Sequence, residues 1–120
     1  MIREWWIAAG SPAPTMDMMP ENSSFVLEVD GKPLLAVTVY MTNSKQIAWV
    51  DNLISSPLPF KGNRRDYVEE MQKFLEIWAK TEGYKSLFCF SEKEVLVKRY
   101  MELGYMPTLK NVTTLVKEIG

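Results

Sequence analysis

The chain has 120 residues, 47% of them hydrophobic, 24% charged and 12% aromatic, which is enough apolar material for one buried core and too much for a disordered polymer. Its 14 basic and 15 acidic side chains leave a formal charge of -1, which argues against nucleic-acid binding or a polybasic membrane anchor outside a local patch. With no histidine and a single cysteine, Cys89, the chain is excluded from Ser-His-Asp and Cys-His catalysis, from an internal disulfide and from a cysteine-based metal cluster. Any proton transfer must run through Asp, Glu, Tyr, Lys, Cys or water. No apolar run approaches the ~20 residues of a membrane span. The start, Met1-Ile2-Arg3-Glu4-Trp5-Trp6, lacks the pattern of a signal peptide. The expectation is a cytoplasmic protein with no metal and no membrane partner.

In chain order, residues 1–24 form an irregular segment. Trp5, Trp6 and Ile7 can begin a strand, but Ser11-Pro12-Ala13-Pro14 and Pro20 break regular structure. Met16, Met18 and Met19 read as an adaptable flap laid on the core. Residues 25–29 predict a strand, Asp30-Gly31 a hairpin turn, and residues 34–40 a near-continuously apolar central strand. Asn43-Ser44-Lys45 predicts a second turn, leading to a strand over 46–55 that ends at Ser56-Pro57-Leu58-Pro59.

The apolar period then changes. Tyr67, Val68, Met71, Phe74, Leu75, Trp78 and Ala79 recur at three- and four-residue steps, predicting an amphipathic helix over 66–82 that stops at Gly83. Residues 85–90 predict a buried strand. Ser91-Glu92-Lys93-Glu94 reads as a capping box for a helix carrying Leu96, Tyr100 and Leu103 on one face and stopping at Gly104. Residues 112–116 predict a last strand. One α+β domain over 1–120 follows. Its mixed, mostly antiparallel sheet has the strands at 47–55 and 85–90 parallel and adjacent, with helices on the sheet faces.

Phe60-Lys61-Gly62-Asn63-Arg64-Arg65-Asp66 joins a strand to the first turn of the long helix. Helix amides without intrahelical partners and three nearby cations suit an anionic ligand such as a phosphate; a solvated loop with a basic flank is the plainer alternative.

Three segments carry a family resemblance. Asp51-Asn52-Leu53-Ile54-Ser55-Ser56-Pro57 is similar to the central strand of the GNAT superfamily of acetyl-coenzyme A-dependent N-acetyltransferases. Lys61-Gly62-Asn63-Arg64-Arg65-Asp66 stands where that family has its glycine-rich pyrophosphate loop. Lys98-Arg99-Tyr100-Met101-Glu102-Leu103-Gly104-Tyr105 resembles the family's Phe-Tyr-x-x-Leu-Gly-Phe helix ending, the most specific match. The resemblance covers residues 25–117. Arg64 and Asp66 occupy positions where the family has small residues, and Lys93 lies near the place of its helix asparagine.

The resemblance implies a splayed parallel strand pair that admits acetyl-coenzyme A as co-substrate. Backbone amides at Ile54 and Ser55 would bond the pantetheine and thioester. Lys61, Gly62, Asn63, Arg64 and Arg65 would hold the pyrophosphate, Asp51 would act as base through water, and Tyr100 would protonate the departing thiolate. The acceptor would be a primary amine on a small molecule or peptide. The alternative is a GNAT-fold binding or structural module without catalysis, similar to compact relatives encoded by bacteriophages, whose setting would be a bacterial or phage-infected cell. Nucleic-acid binding through Lys61, Arg64 and Arg65 is a weaker third reading.

Each residue also has a plainer role. Tyr100 can be a core aromatic, Asp51 can bond a neighbouring turn, and Cys89 can be a small buried hydrophobe. Trp49 and Trp78 read as core. An exposed Trp5, Trp6 and the methionines would offer a homodimer face. Asn111-Val112-Thr113 matches a glycosylation sequon but is set aside, since nothing suggests secretion.

Overall fold

Asp30 and Gly31 both take left-handed backbone, φ 52° and 76°, the pair of conformations that a two-residue turn needs to match the twist of the strands it joins. In the computed structural model, which describes residues 2–10, 13–14, 19–20, 22–59, 62–91, 93–110 and 112–120, this turn links β1 (Ser24–Val29) to β2 (Lys32–Met41). A second turn, with Lys45 at φ 62°, leads into β3 (Ile47–Ser55). The helix α2 (Arg64–Thr81) then carries the chain back, so that β4 (Ser86–Cys89) runs parallel to β3. The sheet order is β1-β2-β3-β4, antiparallel except for the last pair. The mixed sheet and its parallel pair are as the sequence predicts.

The chain divides into two compact units, Met1–Phe90 and Ser91–Gly120, each described by itself. In the first, the two sheet faces are buried differently. Leu35, Val37, Val39 and Val50 alternate onto one face and are nearly inaccessible. Val68, Met71, Leu75 and Ala79 form the buried stripe of α2, and Phe25 anchors it with ring contacts at 5.2 Å to Phe74 and 5.1 Å to Trp78. Asn63 caps the helix by accepting the Arg65 amide at 2.9 Å. At the other end Gly83 and Tyr84 donate to the carbonyls of Lys80 and Ala79, closing the last turn.

On the opposite face lie α1 (Ile2–Ala8) and Met19, whose sulfur meets Thr38 and Asn52. Residues 5–7 are therefore helical, not the strand that Trp5, Trp6 and Ile7 suggested. Trp5 is buried against Ala36 and Ile54, with Ile2 and half-buried Trp6 beside it. A helix satisfies its own backbone while burying an indole, whereas a strand here would need a ladder partner. Trp5 is consequently unavailable as the dimer face that its expected exposure offered. Met19, the described member of the methionine string, is half-buried; Met16 and Met18 lie outside the described residues.

In the second unit α3 spans Glu94–Glu102. Its N-cap is Lys93, and the capping box is not formed: Ser91 Oγ accepts the Lys93 amide at 3.2 Å, one residue short of Glu94. Tyr105 N–H closes the helix end on the Tyr100 carbonyl at 3.0 Å. The strand predicted over 112–116 is absent. No ladder pairs with it among the described residues, and Leu115 and Val116 stand 87% and 95% exposed. β-branched residues favour a strand only where one is there to pair with. Asn111, of the sequon, lies outside the described residues.

Candidate active site

The site begins with an irregularity in β3. Its register with β2 runs Tyr40 opposite Trp49 and Thr38 opposite Asp51, then resumes at Ala36 opposite Ile54, so β3 spends one extra residue there. This is a β-bulge, and Asn52 adopts φ 56° to accommodate it. Asparagine tolerates that conformation better than most side chains because its short amide finds local partners. Here Asn52 Nδ2 donates to Tyr40 Oη at 2.9 Å and approaches Met19 Sδ at 3.9 Å. Thr38 Oγ1 reaches the same sulfur at 3.9 Å. The bulge thus turns Asn52 onto the α1 face, beside Asp51.

Pairing with β4 stops at the same place. The parallel register ends with Val50 opposite Cys89, while β3 continues to Ser55. Residues 51–55 therefore extend past the last β3–β4 pair, along a stretch of strand edge that β4 does not cover. Asp51 is exposed, and its Oδ1 accepts the Asn52 amide at 2.7 Å, which fixes the carboxylate at the bulge. Ile54 is a core side chain, 9% exposed, so only its backbone is available to a ligand; Ser55 is half-buried and opposite Leu35.

The α2 N-terminus is tied to this strand end. Arg64 donates to the Ser56 carbonyl at 2.9 Å, and the Ser56 amide donates to the Leu34 carbonyl at 2.7 Å. Gly62 has φ 98°, a conformation that strains any other residue, and a Cβ there would meet Tyr67 Oη at 2.9 Å and push that side chain aside. Asn63 is the cap and holds the Arg65 amide, one of the groups an anion would otherwise use. Arg65 is exposed at the helix start. Lys61 lies outside the described residues. The loop therefore keeps a narrow glycine passage beside a helix N-terminus, with a guanidinium and an asparagine amide already engaged. Its residues fit a phosphate group at Gly62 and the α2 terminus, and the strand edge at 51–55 fits an extended amide-bearing chain.

Tyr100 belongs to the second unit. It is buried, 7% exposed, with its ring edge-on to that of Tyr105 at 5.3 Å.

Sequence reasoning missed Asn52, Tyr40 and an aromatic group at the β4 end of the same sheet face. Trp49 stacks on Phe90, rings 8° apart and centroids 4.7 Å apart, and meets Phe88 edge-on at 5.0 Å. Trp49 is half-buried, as is Trp78, which packs on Phe25. Cys89 is also only half-buried. An asparagine inside a β-rich run was the available signal for the bulge, because that residue type is depleted from regular strands.

This mixed α+β fold, with a parallel strand pair at one end of an antiparallel sheet, is one found in N-acetyltransferases. Two solved structures share it. One is the apo aminoglycoside 6'-N-acetyltransferase AAC(6')-IG from Acinetobacter haemolyticus, at 16% identity and a TM-score of 0.54 over 83% of this chain and 74% of that one. The other is the aminoglycoside N-acetyltransferase AAC(6')-Iy in complex with CoA, at 12% identity and a TM-score of 0.56 over 80% of this chain and 75% of that one. No protein-family model matches the sequence, and no curated protein does. Among the described residues no group of three His, Cys, Asp or Glu side chains is arranged to hold a metal ion, and no helix is long and apolar enough to cross a membrane.

Proposed function

We propose that the chain is an acetyl-coenzyme A-dependent N-acetyltransferase acting on a primary amine. The observation that carries this is the strand edge at residues 51–55, which leaves the β3–β4 pair beside the bulge and faces no β4 partner. Pantetheine has amides of its own and would complete such an edge as a strand does, with the Ile54 and Ser55 backbone as partners. Gly62, Asn63 and Arg65 at the α2 start, with Lys61 and Arg64, would receive the pyrophosphate.

The chemistry is direct transfer. An acceptor ammonium first loses a proton to water held at Asp51. Its nitrogen lone pair then forms the N–C bond at the thioester carbonyl, and the C–S bond breaks. The nitrogen releases a second proton, and the leaving thiolate takes one from the Tyr100 phenol, which regains one from solvent. The net products are an amide, free coenzyme A thiol and one proton. A phenol suits the role because its unperturbed pKa, about 10, lies above that of a thiol.

One observation favours the second reading, a GNAT-fold module without catalysis. Asn63 occupies the Arg65 amide and Arg64 is bonded to Ser56, which together narrow the anion site. Calorimetric titration with acetyl-coenzyme A and with coenzyme A separates the two readings. Micromolar affinity, about -8 kcal/mol, is expected for the enzyme, followed by thiol release with an amine acceptor. Absence of binding at millimolar ligand would leave only the module. Tyr100→Phe should lower turnover by about a hundredfold while coenzyme affinity stays nearly constant; equal losses of both would assign Tyr100 to packing.

A further inference from the structure

We infer that Met19 is a modification site: hydrogen peroxide converts its thioether to a sulfoxide, whose oxygen is received by Thr38 and Asn52. The inference is independent of the acetyl-transfer reading. Thr38 Oγ1 and Asn52 Nδ2 each approach the Met19 sulfur at 3.9 Å. The two donors come from different strands, β2 and β3, and Thr38 lies opposite Asp51 at the start of the bulge. Two polar hydrogens thus converge on a thioether, which is a weak acceptor.

For a thioether the match is poor. Thr38 is 1% exposed, so its hydroxyl is cut off from bulk water and turns to the sulfur and to Ser24 Oγ, 3.3 Å away. A valine of the same shape would pack on a methionine with no hydroxyl to satisfy. Asn52 adopts its left-handed φ of 56° and brings its amide between Met19 and Tyr40 Oη. A purely apolar contact would need neither donor.

A sulfoxide oxygen corrects the match. It is a strong acceptor, and when set between the two donors it stands one S–O bond length nearer to both. Two sulfur contacts of 3.9 Å then become hydrogen bonds of ordinary length. Only one of the two sulfoxide epimers points its oxygen that way. Oxidation of a packed methionine normally disrupts the core, because the side chain becomes polar with nothing to bond. Here the partners are already in place. Met19 is half-buried, within reach of an oxidant as small as peroxide. In the reaction a sulfur lone pair attacks one peroxide oxygen and the O–O bond breaks. The departing hydroxide takes the proton from the oxygen left on sulfur. Sulfur is oxidised by two electrons, peroxide is reduced, and the products are the sulfoxide and water. The consequence falls on the bulge, since the new oxygen fastens the Asn52 side chain and with it the backbone beside Asp51.

The test treats the full chain and three variants, Met19→Leu, Thr38→Val and Thr38→Ser, with limiting hydrogen peroxide. Sulfoxides are located by peptide mass spectrometry, and urea unfolding is followed before and after. Met19→Leu, oxidised alongside, accounts for the other methionines. Relative to it, oxidation should raise the midpoint of the unsubstituted chain by about 0.3 M. Thr38→Ser keeps a hydroxyl and should keep the gain, whereas Thr38→Val should abolish it. Amide exchange at Asn52 should slow about fivefold once Met19 is oxidised. Should Thr38→Val not fold, the difference between the unsubstituted chain and Met19→Leu decides. Three results would each overturn the inference. They are a Met19 left as thioether while the exposed Met101 and Met106 are converted, a midpoint that falls or matches that of Met19→Leu, and equal gains in Thr38→Val and Thr38→Ser.

Discussion

The two halves of β3 make opposite uses of one strand. Residues 48–50 pair on both sides, with β2 and with β4, and carry Ala48 and Val50 into the core at 0% and 2% exposure. Residues 51–55 keep β2 and lose β4, pass through a bulge with a left-handed asparagine, and leave Asp51 exposed. The first half satisfies its backbone within the sheet. The second has no β4 partner on one edge, and that edge is the one the proposed function gives to the coenzyme. The difference teaches that the site is specified by where pairing ends more than by any one side chain.

Substitutions can break or sharpen that contrast. The largest loss should come from the packed side: Leu75→Ala, on the fully buried stripe of α2, should cost about 2–5 kcal/mol in urea unfolding. At the bulge, Asn52→Ala combines a left-handed φ with loss of the Tyr40 hydrogen bond and should cost about 1–3 kcal/mol. Asn52→Gly keeps the backbone conformation and loses only the bond, so it should cost about 1 kcal/mol. Equal costs for the two would mean that the bulge stores no backbone strain. Gly62→Ala meets Tyr67 and an unfavourable φ; it should cost about 1 kcal/mol in stability and weaken coenzyme binding by more than Asn52→Gly does. The smallest stability effect should be Phe90→Leu, within about 0.5 kcal/mol, because its ring is mostly in solvent.

Much of the fold was legible because local patterns and global fold agree. Alternation and the Asp30-Gly31 turn marked β1 and β2, the change of period marked α2, and a helix between two strands required the parallel β3–β4 pair. Ends of the chain were less legible. Trp5 and Trp6 look equally suited to a strand or a short helix, and only Ala36 and Ile54, far away in sequence, decide for the helix. Residues 112–116 have strand propensity but no ladder partner. In the candidate site, the segment from Asp51 to Pro57 and the loop at Gly62 stood out by their resemblance to a known family; spacing alone left a solvated loop with a basic flank as the plainer reading. The bulge was not legible, because its register depends on β2. Nor was the aromatic group, since Trp49, Phe88 and Phe90 meet only through the β3–β4 pairing.

The most direct measurement is amide hydrogen exchange across β3, with and without acetyl-coenzyme A. Residues 48–50 should be protected in both states, whereas residues 51–55 should exchange faster alone and become protected when the coenzyme is added, together with Gly62 and the first turn of α2. Bound coenzyme that leaves 51–55 unchanged, or equal protection of both halves without it, would contradict the account of β3 as half sheet and half binding edge.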